Sequence, residues 1–198
     1  MTAPAASLNP APGDGLDDLP GDLMVLARAA WPTADQDALP GLPGFIVSSF
    51  SPLAAELAER CLRRYFGPPP ADPTRAEQTA IVLASTTGDI ATAVAVAQAV
   101  DQGRSVPPLL FYQSNANAVA GHVAARWGLG GPVECTIPAG RGLPDALEVA
   151  TLLIEGGDAA AALVILADQR RHDGDTGTAL LIGPASWPPA AEDPAPPG

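Results

Sequence analysis

The chain has 198 residues, 47% of them apolar and only 5% aromatic, so a compact domain must fill its interior with Ala, Leu and Val. A formal net charge of −12 excludes nucleic acid and anionic membrane as partners, because both attract basic surfaces. All 10 basic residues are Arg, which removes Schiff-base and Walker-type lysine chemistry.

Prolines crowd both ends, so residues 1–20 and 184–198 read as disordered tails around one domain at 21–183. Residues 22–31 are compatible with a short helix and 44–48 with a short strand. A stronger helix follows: Ser51 can cap it, Pro52 suits its first position, and Ala54, Leu57, Ala58, Cys61 and Tyr65 recur at helical spacing. Arg60, Arg63 and Arg64 sit at its C-terminal end, where the helix dipole favours cations, and Gly67 ends it.

The run AIVLAS at 80–85 predicts a buried strand. The turn Thr86-Thr87-Gly88-Asp89 leads into a helix with Ile90, Ala93, Val94, Ala97 and Val100 on one face, ended by Gly103. A loop with Pro107 and Pro108 precedes a small-residue helix at 117–127, whose Ala and Gly positions permit close packing. A strand is expected over 132–139 and a helix over 144–155, with Leu147, Ala150, Leu153 and Ile154 inward. Two further strands, at 161–167 and 178–183, flank the polar loop 168–176. Apolar strands alternating with helices imply an α/β layered fold, a sheet covered on both faces.

The stretch PPLLFYQSNANAVAGHVAARWGLGGP at 107–132 resembles the β-ketoacyl synthases, in which a Pro-containing loop leads into an Asn-x-Ala-x-Gly helix and a Gly-Leu-x-Gly-Pro turn. Upstream IVLASTTGDIATAV and downstream DALEVATLLIEGGDAAAALVILAD extend the resemblance over about residues 44–183. It implies a thiolase-like fold, a helix-covered mixed sheet, present here as a single half of the usual duplicated architecture. It also implies a nucleophilic cysteine after the Gly-Pro turn, where a helix N-terminus would stabilise a thiolate. Counted from Pro132, that position is Gly140, and Cys135 lies five residues too early. The family's decarboxylating histidines and lysine belong to a later half that this sequence does not contain.

The chain is similar in length and in its Ala139-Gly140 pair to truncated synthase-like proteins of aryl-polyene-type gene clusters. The implied role is a chain-length-factor-like subunit without its own chemistry. Its implied partners are an active ketosynthase subunit and an acyl carrier protein, with no cofactor. Phe111, Tyr112, Gln113, Asn115 and Asn117, together with Ala139 and Gly140, are the candidate interface or acyl-cavity residues. The aromatic cluster can equally anchor its loop to this chain's own core.

Two other functions stay open. Gly140-Arg141-Gly142 between strand and helix could hold a pyrophosphate with Asp168 meeting a ribose, although Asp145 stands where a third glycine belongs. A stand-alone acyl or carrier-protein binding module is the third reading. Cys61 and Cys135 read as small core residues, and His122 and His172 have no neighbours that would make a metal site or a triad. No signal segment or membrane-length apolar run is visible, so a cytoplasmic protein is expected.

Overall fold

The computed structural model describes residues 19–33, 38–170 and 174–187. Most of both expected tails, and residues 171–173 with His172, lie outside the described residues. In chain order the elements are β1 (Leu23–Trp31), α1 (Phe50–Phe66), α2 (Pro73–Ala76), β2 (Thr79–Ala84), α3 (Ile90–Asp101), α4 (Pro108–Gln113), α5 (Ala116–Trp127), β3 (Val133–Thr136), α6 (Leu143–Glu155), β4 (Ala161–Asp168) and β5 (Thr176–Pro184).

The strands form one mixed sheet in the order β1-β5-β4-β2-β3. β3, β2 and β4 run parallel, while β5 and β1 add antiparallel. Side chains alternate across β2 and β4 and both faces are covered. Ile81, Leu83, Leu163 and Ile165 pack with α1 and α5, whereas Val82, Val164 and Leu166 pack with α6. This is the helix-covered mixed sheet the sequence implied.

α1 carries Leu53, Leu57, Ala58, Cys61 and Leu62 fully into the core. Burial pushes the Cys61 thiol up to about 12, as suits a packing residue. Ser49, without a side-chain cap bond, precedes the helix, so Ser51 is its second residue rather than its cap. Glu59 ties α1 to α5: it accepts from Arg126 Nε at 2.9 Å and from Trp127 Nε1 at 3.2 Å.

Several expectations are corrected. Residues 22–31 are not a helix, because LMVLARAAW pairs along β5, with a register shift between Val25 and Ala27. Sheet pairing overrides the helix propensity of its alanines. Residues 44–48 are not a strand: Gly44 has φ +87°, and only an isolated bridge joins Leu42 to Phe45. Residues 108–113 form a helix rather than a loop. The apolar face expected of α3 looks outward, since only Thr92 and Ala99 are buried there. The folded chain also continues past 183: Ala185 N donates to Asp22 O at 2.8 Å, and Trp187 stacks on Tyr65.

Candidate functional site

β3 enters the turn that the sequence singled out. Its neighbour β2 comes so close that a Cβ on Gly131 would lie 2.6 Å from the Thr79 backbone, so glycine is required where the Gly-Leu-Gly-Gly-Pro segment meets the sheet. After Thr136 the chain runs through Ile137, Pro138, Ala139, Gly140 and Arg141 to Gly142, which precedes α6. Gly140 is exposed, with φ +130°, and a Cβ added there would meet open space. The position presents no nucleophile.

The amides of this turn already have an anion. Asp145 Oδ2 accepts from Arg141 N at 2.9 Å, while Oδ1 lies 2.6 Å from Arg141 Nε. Arg141 Nη2 also donates to Glu148 Oε2 at 2.6 Å. The Arg141 amide, then its guanidinium charge, hold the Asp145 carboxyl below the ordinary aspartate range. A carboxylate seated here repels an incoming phosphate. The one thiol nearby is Cys135, within β3, and burial first, then the charge of Glu134, raise its pKa. It is therefore held as a thiol, not a thiolate.

A second polar cluster lies at the carboxyl ends of β2 and β4, where the chain leaves neighbouring parallel strands in opposite directions. Crevices at such points commonly bind ligands. Here the chain's own groups occupy the Asp168 carboxylate and the Gln169 amide. Asp168 is buried and accepts from Ser85 Oγ at 3.1 Å, Thr86 N at 2.7 Å and Thr86 Oγ1 at 3.3 Å. Gln169 accepts from Ala91 N and donates to Ser48 Oγ and Ser49 Oγ, which joins the starts of α1 and α3. The ribose role that sequence allowed for Asp168 is thus replaced by a structural one. Sequence reasoning missed this hub, although an Asp ending a fully apolar strand signals one, because a buried carboxylate needs donors.

The residues expected at an interface or cavity divide into two groups. Gln113 is buried and donates through Nε2 to Gly44 O at 2.6 Å, leaving Oε1 buried without a hydrogen-bond partner. Asn115 caps α5 by accepting from Asn117 N at 3.0 Å. Phe111 and Tyr112 instead face outward; Phe111 is 79% exposed, so it does not fill this chain's core. Asn117, Ala139 and Gly140 are exposed too. A cavity of about 240 Å³ opens at the carboxyl end of β2, lined among others by Ser85, Thr86, Ser114, Ala116, Cys135 and Ile137, and none of the seven candidate residues lines it. His122 meets Phe45 edge-on at 6.4 Å. Among the described residues no group of three His, Cys, Asp or Glu side chains is placed to hold a metal, and no helix is long and apolar enough to cross a membrane.

No family model and no curated protein matches the sequence. Solved structures do match the fold. In the complex of the ketosynthase ApeO with its chain length factor ApeC from Xenorhabdus doucetiae, one chain superposes with a TM-score of 0.64 at 18% identity, over 82% of this chain and 79% of that one. The ishigamide ketosynthase/chain length factor gives 0.66 at 19% identity, over 88% and 64%. A β-ketoacyl synthase from Burkholderia phymatum STM815 gives 0.61 at 15% identity, over 76% of this chain but 46% of the synthase chain. The chain therefore spans less than two thirds of the second and third of these proteins. It has the thiolase-like α/β fold of ketosynthases and chain length factors, as a piece about half the length of a synthase.

Proposed function

We propose that this chain is a non-catalytic synthase-like subunit that pairs with an active ketosynthase in polyketide or fatty-acid chain elongation and helps to shape the acyl cavity. The observation that carries this reading is Gly140. It stands where the resemblance implies the nucleophile, and Asp145 occupies the amides that would stabilise a thiolate or an oxyanion. Acyl transfer has no group to begin from at that turn. Any contribution to the product must then come by contact, and Phe111 and Tyr112 on α4 and Ile137 at the cavity offer exposed apolar surface.

The matches support a shared assembly. The chain superposed in the ApeO–ApeC complex is about the size of this one, since the aligned part is 82% of one and 79% of the other. Acyl carrier protein enters as the supplier of the growing chain to the complex, in the cytoplasm. The nucleotide reading loses its ground, because Asp145 opposes a phosphate and Asp168 is committed to Ser85 and Thr86.

Native mass spectrometry of the chain co-expressed with the ketosynthases of its own source tests the proposal. A heteromer is expected, and intact mass after incubation with acyl carrier protein should show no acyl adduct on this chain. A stable adduct, or a chain that stays monomeric beside every one of those ketosynthases, overturns it.

A further inference from the structure

Past β5 the chain turns across the C-terminal end of α1. There the half-buried Trp187 ring stacks on Tyr65, with centroids 6.4 Å apart and planes inclined by 15°. Arg75 of α2 closes the cluster: its guanidinium carbon lies 5.4 Å from the Trp187 ring centroid, and Nη1 donates to Tyr65 Oη at 3.1 Å. The residues after Trp187 therefore leave from a fixed point beside the last turn of α1.

That end of α1 is basic in an acidic protein. Arg60, Arg63 and Arg64 share one side of the helix, and Arg126 of α5 stands beside them through Glu59. With Arg75 they are half of the 10 arginines in a chain of net charge −12. Glu56 pairs with Arg60, and Glu59 is shared between Arg63 and Arg126. Arg64 is exposed and, among the described residues, meets no carboxylate; it donates to Arg28 O at 2.7 Å. The ridge is short of negative charge.

We propose that this chain's own residues 188–198 dock along the ridge, with Glu192 and Asp193 pairing with Arg63 and Arg64. So docked, the segment screens the basic ridge from other acidic chains.

The segment reads PPAAEDPAPPG, with two adjacent carboxylates and no basic residue. From Trp187 to Glu192 an extended, proline-held chain spans about 15 Å at roughly 3.1 Å per residue. Arg63 and Arg64 lie within about 3 Å of Tyr65 along the helix axis, at roughly 1.5 Å per residue. The reach is thus enough to cross the end of α1 and bring both carboxylates over both arginines. Pro188 and Pro189 before the acidic pair, and Pro194, Pro196 and Pro197 after it, restrict the segment beforehand, so docking costs little further entropy. Composition alone reads a tail here; the Trp187 anchor and the ridge give it a place.

Digestion of the full chain by a glutamate-specific protease, followed by intact mass, tests this. Cleavage after Glu192 should be slow in wild type and should quicken about three- to tenfold in the double variant Arg63→Gln/Arg64→Gln, the range that one or two surface ion pairs support. Trp187→Ala, which removes the anchor and keeps the arginines, should quicken it too. High salt should release the wild-type segment in the same way, measured against a free peptide of residues 186–198 cut under the same conditions. The salt series needs no variant, so it decides the matter should circular dichroism show either variant unfolded. Equal rates in wild type and the double arginine variant, or no effect of salt beyond that on the peptide, overturn the proposal. Protection that fades on dilution overturns it as well, because the ridge would then hold the segment of another copy.

Discussion

α1 and α5 on one side, and α3 and α4 on the other, draw on the same aliphatic alphabet and meet opposite surroundings. The first pair buries Leu53, Leu57, Val119, Val123 and Trp127 against the sheet. The second leaves Val94, Val100, Leu109, Phe111 and Tyr112 exposed. α3 is held by its Asp89 cap, which accepts from Thr92 N at 2.9 Å, and by Gln169, rather than by a buried face. Periodicity shows which side of a helix is apolar; it does not show whether this chain or another covers it. The uncovered apolar surface includes Phe111 and Tyr112 on α4, and Ile137 at the cavity mouth adds to it.

The difference should show first in stability. Trp127→Ala removes a fully buried ring and the Nε1 donor to Glu59, so it should cost about 3–5 kcal/mol and leave little folded protein. Val100→Ser on α3 should stay within about 0.5 kcal/mol of wild type, as exposed positions do. Urea titrations of both variants measure the contrast, and equal losses would erase it.

A smaller loss is expected at the turn before α6. Gly140→Cys has open space for its side chain but must hold φ +130°, which should cost about 1–3 kcal/mol. The new thiol should take no acyl group from a carrier protein, because Asp145 keeps the local amides and adds negative charge. Intact mass spectrometry after acyl-carrier incubation reads this outcome, and a cysteinyl ester would show that the turn alone suffices for transfer.

Much of the fold is legible in the sequence because the central strands announce themselves. AIVLA and AALVILA are apolar on both faces, which only a sheet covered on both sides permits, and α1 declares its face at helical spacing. β1 was not legible: LARAA favours a helix locally, and only its long-range pairing with β5 makes it a strand. Of the site, the glycine at 140 could be counted from Pro132, but its neighbours could not be ranked. Gln113 and Phe111 lie two residues apart in one short helix and point to opposite surroundings. The Asp168 hub was hidden because its donors, Ser85 and Thr86, lie more than eighty residues away in sequence.

Between α1 and α5 the charge of Glu59 should give a pH signature. The Arg126 hydrogen bond lowers its pKa from the ordinary value of 4.5, against a smaller opposing effect of burial. A folded pKa below the unfolded one contributes stability that is present above the unfolded value and lost as pH falls through the folded value. Because the group is partly exposed, the contribution should be under about 1 kcal/mol. Thermal melts of wild type and Glu59→Gln should therefore converge as pH falls from about 5 towards 3. Parallel curves over that range would mean that the carboxylate only fills space.

The smallest expected effect on stability is also the most telling for function. Phe111 exposes 79% of its surface, so Phe111→Ala should change the melting temperature of the isolated chain hardly at all, within about 0.5 kcal/mol. Had the ring filled the core, the same truncation would cost about 3–5 kcal/mol. What remains is the ring's use in the complex. Phe111 is large and rigid, and α4 is fixed behind it by the Gln113 bond to Gly44 O. In the proposed complex a ring so held would close the end of the acyl cavity, and its removal should admit several more chain carbons. The reconstituted complex of Phe111→Ala with its ketosynthase should thus keep its fold and yield longer products by mass. Unchanged product length with weakened assembly would make Phe111 an interface anchor and leave this chain a purely supportive role. Unchanged length with unchanged assembly would remove Phe111 from the cavity and the interface alike.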